Sequence, residues 1–535
     1  MAVDLSSKQY LVIDDFADMR SMLRSMLVSY GVTKIDMAGN GKDAVKQLSK
    51  NKYDVVLCDY NLGDGKDGQQ VLEEARDKGY IKYSTAFLML TAENTMEMVM
   101  GAVEYLPDDY LSKPFNKDML RSRLEKTIIK KGELEEIVNL LNNDQYAEAI
   151  ALCDRQIAQK PRNVAEIIKV KADLLIKSGK YEEAAAIYES ILAKRDVPWA
   201  MVGLGKVRFH TQNYMDAKNI FQKAIDLLNT HIEAYDWLAK TTLALGDQRE
   251  AMKILTTATE ISPKAILRQM KLGDLALKEN DIAVATKAFK KAVQVGTNSI
   301  YQTPANYTKL AKIQGKDSGK EALLTLSRLR NDFGKDDEAS LHAAIAESMV
   351  LKSLGRENDA KKAYAEAGNL FGKSQINISK DVAMEMAAAC IANDDKGKGL
   401  DILRGLVMNH HDDKDLIAQV RDVFGSAGLA DEGQSIINAA IKEVTELNSK
   451  ATQLAKAGKL DEAITFLEKT LESMPDNGTI IGNVTNVLLM YMKEKGKSDA
   501  YLYKARQHLE RLRKMDPISE SYRKLNADYE KIMAS

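Results

Sequence analysis

The sequence predicts two kinds of fold in one chain: a doubly wound α/β domain first, then a long all-α solenoid. Three observations carry this. Up to about residue 125, short apolar bursts alternate with amphipathic stretches. Beyond about residue 130 the bursts stop. From there a pattern returns roughly every 34 residues.

The bursts are Tyr10-Leu-Val-Ile13, Asp54-Val-Val-Leu-Cys58, Ala86-Phe-Leu-Met-Leu90 and Asp109-Tyr-Leu111. Runs this short, without alternation of polar and apolar residues, suit strands buried on both faces. The segments Met19–Tyr30, Gly41–Lys50 and Gln69–Lys78 between them read as helices. Strand alternating with helix is the signature of a parallel sheet covered on both sides. From Asn116, Leu120, Leu124, Ile128, Leu134, Val138 and Leu141 recur near helical period, so one helix is expected to run out of this domain with no flexible linker. Gly132 is its weak point, costing about 1 kcal/mol relative to alanine.

Composition narrows the function. At roughly 150 residues per domain, 535 residues make three or four domains, or one domain and an extended array. Lys+Arg (76) and Asp+Glu (77) nearly cancel, which argues against a chain built to wrap nucleic acid. Residues 1–125 carry 16 basic and 20 acidic side chains, so the remainder is only slightly basic. Three distant cysteines, Cys58, Cys153 and Cys390, make neither a disulfide framework nor a thiolate zinc cage. No apolar run approaches the roughly 18–20 residues of a membrane span, and no signal-peptide pattern is present. The expectation is a cytoplasmic chain without membrane insertion.

The repeat follows Gly/Asp–x–Tyr–x–x–Ala, at Asp144–Ala149, Gly179–Ala184, Gln212–Ala217, Gly246–Ala251 and Asn280–Ala285. The alanines advance by 35, 33, 34 and 34 residues, and Cys153, Tyr188, Phe221, Leu255 and Phe289 follow four positions on. Further copies stand at Gly355–Ala360, Gly428–Gly433 and Gly458–Ala463, with degenerate ones near Ala322, Gly399 and Ala505. A small residue lets two antiparallel helices approach closely, and units of this size bury their apolar faces only by stacking. The pattern resembles the tetratricopeptide repeat. That resemblance implies a solenoid over residues 128–530, roughly ten units, degenerate between about 297 and 440.

The α/β half carries an acidic constellation. Asp14 and Asp15 follow the first strand, Asp59 the third, Thr91 the fourth, and Lys113-Pro114 the fifth. In a doubly wound sheet these positions share the carboxyl edge, where such folds place their sites. Three converging carboxylates repel, so a divalent cation is the economical explanation, and oxygen ligands favour magnesium.

This set closely resembles bacterial response-regulator receiver domains, over residues 8–125 within an expected domain of 1–127 with a flavodoxin-like sheet. The resemblance implies that Asp59 is the phosphoacceptor, phosphorylated by a sensor histidine kinase or phosphotransfer protein. It implies Asp15 and Asp59 as direct Mg2+ ligands, Asp14 acting mainly through water, and Asn61 through its backbone carbonyl. Thr91 would donate its hydroxyl to the phosphoryl group and Lys113 would pair with a phosphoryl oxygen. Tyr110 matches the aromatic that reorients on switching, and Glu93 the position that tunes dephosphorylation. The segment Asn61–Gly68 runs about one residue longer than the commonest family loop.

No recognition helix, P-loop, dinucleotide fingerprint or cyclase motif follows. His410-His411-Asp-Asp413 reads as a solvated loop rather than a metal site. The output is then the array itself, a protein-binding surface for an unknown partner. By the resemblance, its first-helix faces include Lys169, Asp173, Trp199, Lys206, Phe209, His210, Asp236 and Lys240. Trp199 and Phe209 beside Lys206 are candidates for anchoring an acidic-aromatic peptide, against the competing reading that Trp199 packs between repeats. The expected function is a two-component response regulator, not an enzyme beyond its own phosphorylation and dephosphorylation. Its output is phosphorylation-gated protein binding, with a phosphorylation-dependent dimer as a further option. The alternatives are a phosphate sink that drains a kinase and a transcription regulator.

Overall fold

The computed structural model describes residues 4–92, 107–143, 145–159, 164–334, 336–373, 378–516 and 519–534. The chain forms two compact units, residues 1–310 and 311–535.

The first unit opens with β1 (Tyr10–Ile13), α1 (Ala17–Ser29), β2 (Ile35–Ala38), α2 (Gly41–Lys50), β3 (Val55–Asp59), α3 (Gly68–Asp77), β4 (Ala86–Thr91) and β5 (Asp109–Ser112). All pairings are parallel, in the order β2-β1-β3-β4-β5. β1 and β3 are buried along their whole length, which is why they read as unbroken apolar bursts. β2, Ile-Asp-Met-Ala, lies at the sheet edge and is only partly covered, so no burst marks it. Helices cover both faces. One core gathers Leu11, Ile13, Val56 and Phe87 under α2 and α3. The other gathers Tyr10, Val12, Leu57 and Leu88 under α1 and the next helix.

That next helix, α4 (Lys117–Asn142), is unbroken over 26 residues. Leu120, Leu124, Thr127, Lys131, Leu134 and Ile137 form its buried face. Leu120 and Leu124 belong to the core of the α/β domain, Leu134 and Ile137 to the first core of the helical array. The sequence expectation of a continuous helix holds, though Ile137 rather than Val138 is the buried residue. Gly132 is exposed, and a Cβ there would meet nothing within 4 Å.

The first unit continues as antiparallel helices: α5 (Tyr146–Ala158), α6 (Val164–Lys177), α7 (Tyr181–Leu192), α8 (Pro198–His210), α9 (Tyr214–Leu227), α10 (Ile232–Ala244), α11 (Gln248–Ile261), α12 (Ile266–Lys278) and α13 (Ile282–Gly296). Each repeat uses the same devices. Gly179, Gln212, Gly246 and Asn280 take left-handed φ of 76°, 62°, 86° and 58°, ending one helix so the next can turn back. Ala149, Ala184, Ala217, Ala251 and Ala285 are fully buried where the helices cross. Gly205 and Gly273 admit the rings of Phe221 and Phe289: an added Cβ would fall 2.5 and 2.7 Å from them.

Among the described residues twelve more helices follow, from α14 (Pro304–Asp317) to α25 (Glu520–Ala534). The blurred stretch of sequence keeps the architecture, with Ala322, Ala360, Gly399 and Gly433 all buried. In the second unit Glu385 on α18 (Lys380–Ala392) is bonded by Lys312 at 2.7 Å and lies 3.0 Å from His342 Nδ1 on α16 (Asp337–Ser353). No helix among the described residues is long and apolar enough to cross a membrane.

Candidate functional site

Parallel pairing brings the ends of β1, β3 and β4 level, with Ile13 beside Cys58 and Asp59 beside Leu90. The chain turns at each end, so Asp14, Asp15, Asp59, Thr91 and Lys113 meet at one edge as expected. Asp59 and Thr91 are the last residues of their strands rather than the first beyond them. Among the described residues, Asp14, Asp15 and Asp59 form the one group of three or more His, Cys, Asp or Glu able to hold a metal, their oxygens within 4.8 Å of one another.

Lys113 Nζ sits between two of these carboxylates, 2.9 Å from Asp14 Oδ2 and 3.0 Å from Asp59 Oδ1. Asp14 is fully buried and takes a hydrogen bond from the Phe16 amide at 2.9 Å. Arg20 donates to the carbonyls of Asp14 and Asp15 at 2.6 and 3.1 Å, fixing the turn after β1. Asp59 is 6% exposed and accepts from the Tyr60 amide at 3.0 Å. Burial raises the Asp59 pKa above the ordinary carboxylate value, with the charge and hydrogen bond of Lys113 opposing. For Lys113 burial works downward, but the hydrogen bond to Asp14 and the charge of Asp59 outweigh it, and its pKa rises. The ammonium is held charged.

A metal fits here on one specific observation. Asp15 Oδ1 is a buried carboxylate oxygen with no hydrogen-bond partner, on a residue grouped with a carboxylate pair that already shares one cation. Buried anionic oxygens ordinarily find a partner, and a hard divalent cation with oxygen ligands supplies one. Asn61 is exposed beside them, its side chain accepting from the Gly63 amide at 3.3 Å.

Thr91 is half-buried, its carbonyl accepting from the Lys113 amide at 2.7 Å. Tyr110 lies on β5 beside Met89, and burial pushes its phenol above the ordinary value. Cys58 packs in the core, its thiol likewise pushed up by burial. Glu93 and Asp144 lie outside the described residues. Two site residues escaped the sequence reading. Gly68 opens α3 so close to the site that a Cβ would fall 2.1 Å from the Asp59 carbonyl. Tyr60 holds Asp59 through its amide, a backbone role that no side-chain pattern announces.

On the array, α8 packs between α6 and α10. Phe209 meets Trp237 edge-on at 5.4 Å and Tyr214 at 5.2 Å. Lys240 stands 4.4 Å above Trp237 and 4.9 Å above Phe209, and Lys206 stands 5.7 Å from Trp237 while pairing with Glu233. Trp199 lies about 15 Å away along α8. It packs edge-on to Tyr188 at 6.2 Å, between repeats, with Lys169 5.8 Å over its ring. The structure therefore joins Lys206 and Phe209 through Trp237, which the sequence reading missed, and sets Trp199 apart. His410 and His411 form the turn between helices Lys396–Asn409 and Lys414–Ser426, as expected of a loop.

Residues 10–125 match the family described as response regulator receiver domain, and residues 140–203 and 232–264 match tetratricopeptide repeats. Chemotaxis protein CheY-3 of Vibrio cholerae is 31% identical over 116 residues, which is 22% of this chain and 88% of that protein. Chemotaxis protein CheY of Pseudomonas aeruginosa is 29% identical over 116 residues, 22% of this chain and 92% of its own. The solved structure of Vibrio cholerae chemotaxis protein CheY4 shares 26% identity over 22% of this chain and 98% of that one, with a TM-score of 0.21.

Proposed function

The chain belongs to the response-regulator receiver family through residues 10–125, with tetratricopeptide repeats behind it, and from that premise we propose a phosphorylation-gated binding protein. A sensor histidine kinase or phosphotransfer protein supplies the phosphoryl group. An Asp59 carboxylate oxygen attacks phosphorus, a new O–P bond forms, and the N–P bond of the donor phosphohistidine breaks. The imidazole, protonated on its other ring nitrogen, leaves with the electron pair and so ends neutral.

The observation that carries this reading is the Lys113 ammonium held between Asp14 and Asp59, beside an unpartnered oxygen of Asp15. Charge on the transferring group must be neutralised before a carboxylate can approach it, and Lys113 is placed to do so. Thr91, at the end of the neighbouring strand, adds a hydroxyl donor. When bound by Asp15 and Asp59, with Asp14 through water and the Asn61 carbonyl, magnesium supplies the remaining positive charge. Tyr110 carries the change toward the rest of the molecule.

The output is the array. Exposed Lys240 and half-buried Lys206 over the Phe209–Trp237 pair suit an acidic segment with an aromatic or aliphatic anchor, the ammonium groups meeting carboxylates and the rings meeting the anchor. The test begins with the full-length chain, Mg2+ and radiolabelled acetyl phosphate. Label on the wild type and none on Asp59→Asn is the expected result. Label that survives Asp59→Asn would move the acceptor elsewhere.

A further inference from the structure

The receiver touches the array a second time, through residues outside α4. Lys264, in the turn between α11 and α12, donates to the Tyr60 hydroxyl at 2.8 Å and stands 4.8 Å over its ring. Residues 297–299, just after α13, meet the loop and helix that follow β3. Lys66 Nζ donates to the Asn298 carbonyl at 2.5 Å, and Gln70 Nε2 to the Thr297 carbonyl at 2.9 Å. Ser299 Oγ donates to Glu73 Oε2 at 2.8 Å, with both residues buried. These partners lie more than 200 residues apart in the chain.

The contact falls on the machinery of the site. Tyr60 is the shared residue: its amide donates to Asp59 Oδ1 and its hydroxyl is held by the array. Lys66 closes the other end of the same loop, and between them Gly63 passes so near that a Cβ would lie 3.4 Å from Asp15 Oδ2. Asp59 is 6% exposed and Lys113 already stands 3.0 Å from it. Lys113 and the Tyr60 amide both meet Asp59 Oδ1, so a phosphoryl group added to this carboxylate changes the charge and hydrogen bonding at the start of residues 60–67. The array pins both ends of that segment. The hydrogen bonds across the contact join polar groups that rehydrate when parted, which suits a junction that opens and recloses.

We propose that Lys264 and residues 297–299 are a latch on the β3–α3 segment, opened when Asp59 is phosphorylated and, by reciprocity, slowing that phosphorylation while closed. The inference rests on Asp59 being the acceptor. It adds where the array senses the change: at the loop after the acceptor, in addition to the continuous α4.

The test uses the full-length chain with two readouts, hydrogen–deuterium exchange and the rate of labelling by acetyl phosphate with Mg2+. Beryllofluoride, a mimic of the phosphoryl group, should raise exchange over residues 66–74 and 264–299 in the wild type. The double variant Lys264→Ala, Ser299→Ala should show that fast exchange without the mimic and label at least about fivefold faster, the low end of a coupled equilibrium. Ser299→Ala alone, the removal of one oxygen, should move both readouts the same way by less. Wild-type protection unchanged by the mimic, with equal labelling rates in all three proteins, would show a permanent contact and overturn the latch. A wild type that takes no label at Asp59 overturns the parent reading instead, and the two failures are distinct.

Discussion

The receiver and the array place their important residues in opposite ways. In the receiver, Asp14, Asp59 and Lys113 come from three separate strand ends, and each makes a contact no other residue duplicates. In the array one arrangement is written over and over: a left-handed residue, a buried alanine, a ring against a glycine. Function in the first is concentrated in a few atoms. Stability in the second is spread across neighbours, each repeat holding the next. A single substitution should therefore silence the receiver, yet only dent the array.

The largest expected effect sharpens that contrast. Lys113→Ala removes the ammonium shared by Asp14 and Asp59. Labelling of Asp59 in saturating Mg2+ should slow by about 1,000-fold, the upper range for losing one preorganised charge partner. The helical circular dichroism of the array should not change. A loss of helix alongside would mean the two regions share stability more than their packing implies.

A smaller effect probes a charge cluster within the array, where Glu385 meets both Lys312 and His342. Glu385 has a folded pKa of about 2: burial pushes it up, but Lys312 and His342 more than reverse this. A depressed carboxylate stabilises fully above its ordinary value near 4.5 and loses that contribution as pH falls toward 2. The loss should be on the order of 3 kcal/mol across that window. Calorimetry of the wild type against Glu385→Gln checks it, since the variant should lack this part of the acid dependence.

The smallest effect concerns one repeat turn. Gln212 holds φ of 62° at a position where Gly179 and Gly246 stand in neighbouring repeats. Gln212→Gly should stabilise by about 0.5 kcal/mol, the relief of left-handed strain less the added freedom of the unfolded chain. Urea denaturation is sensitive enough to show its sign. A destabilisation would mean that the Gln212 side chain contributes more than its backbone conformation costs.

The same contrast decides what could be read from sequence. Strands such as Val55–Asp59 were legible because burial on both faces leaves an apolar run, and edge strand Ile35–Ala38 was not. The repeats were legible because the spacing is local and recurrent, even where side chains drift, as at Gly399 and Gly433. The acidic site was legible because parallel strands fix where their ends lie. Trp237 was missed because a ring at the boundary of core and surface looks like packing until its neighbours Phe209 and Lys240 are in place. Contacts such as Lys264 with Tyr60 and Ser299 with Glu73 leave no local mark at all, since each half is an ordinary polar residue in its own segment.

The unbroken α4 also sets an angular phase between the two regions. Each residue of an α-helix turns by about 100° and advances about 1.5 Å. One residue inserted near exposed Gly132 would swing everything beyond it by more than a quarter turn, whereas seven would restore nearly the original heading. For chains assembled by joining domains, this junction behaves as a keyed shaft: lengths that keep the key transmit orientation, and all others scramble it.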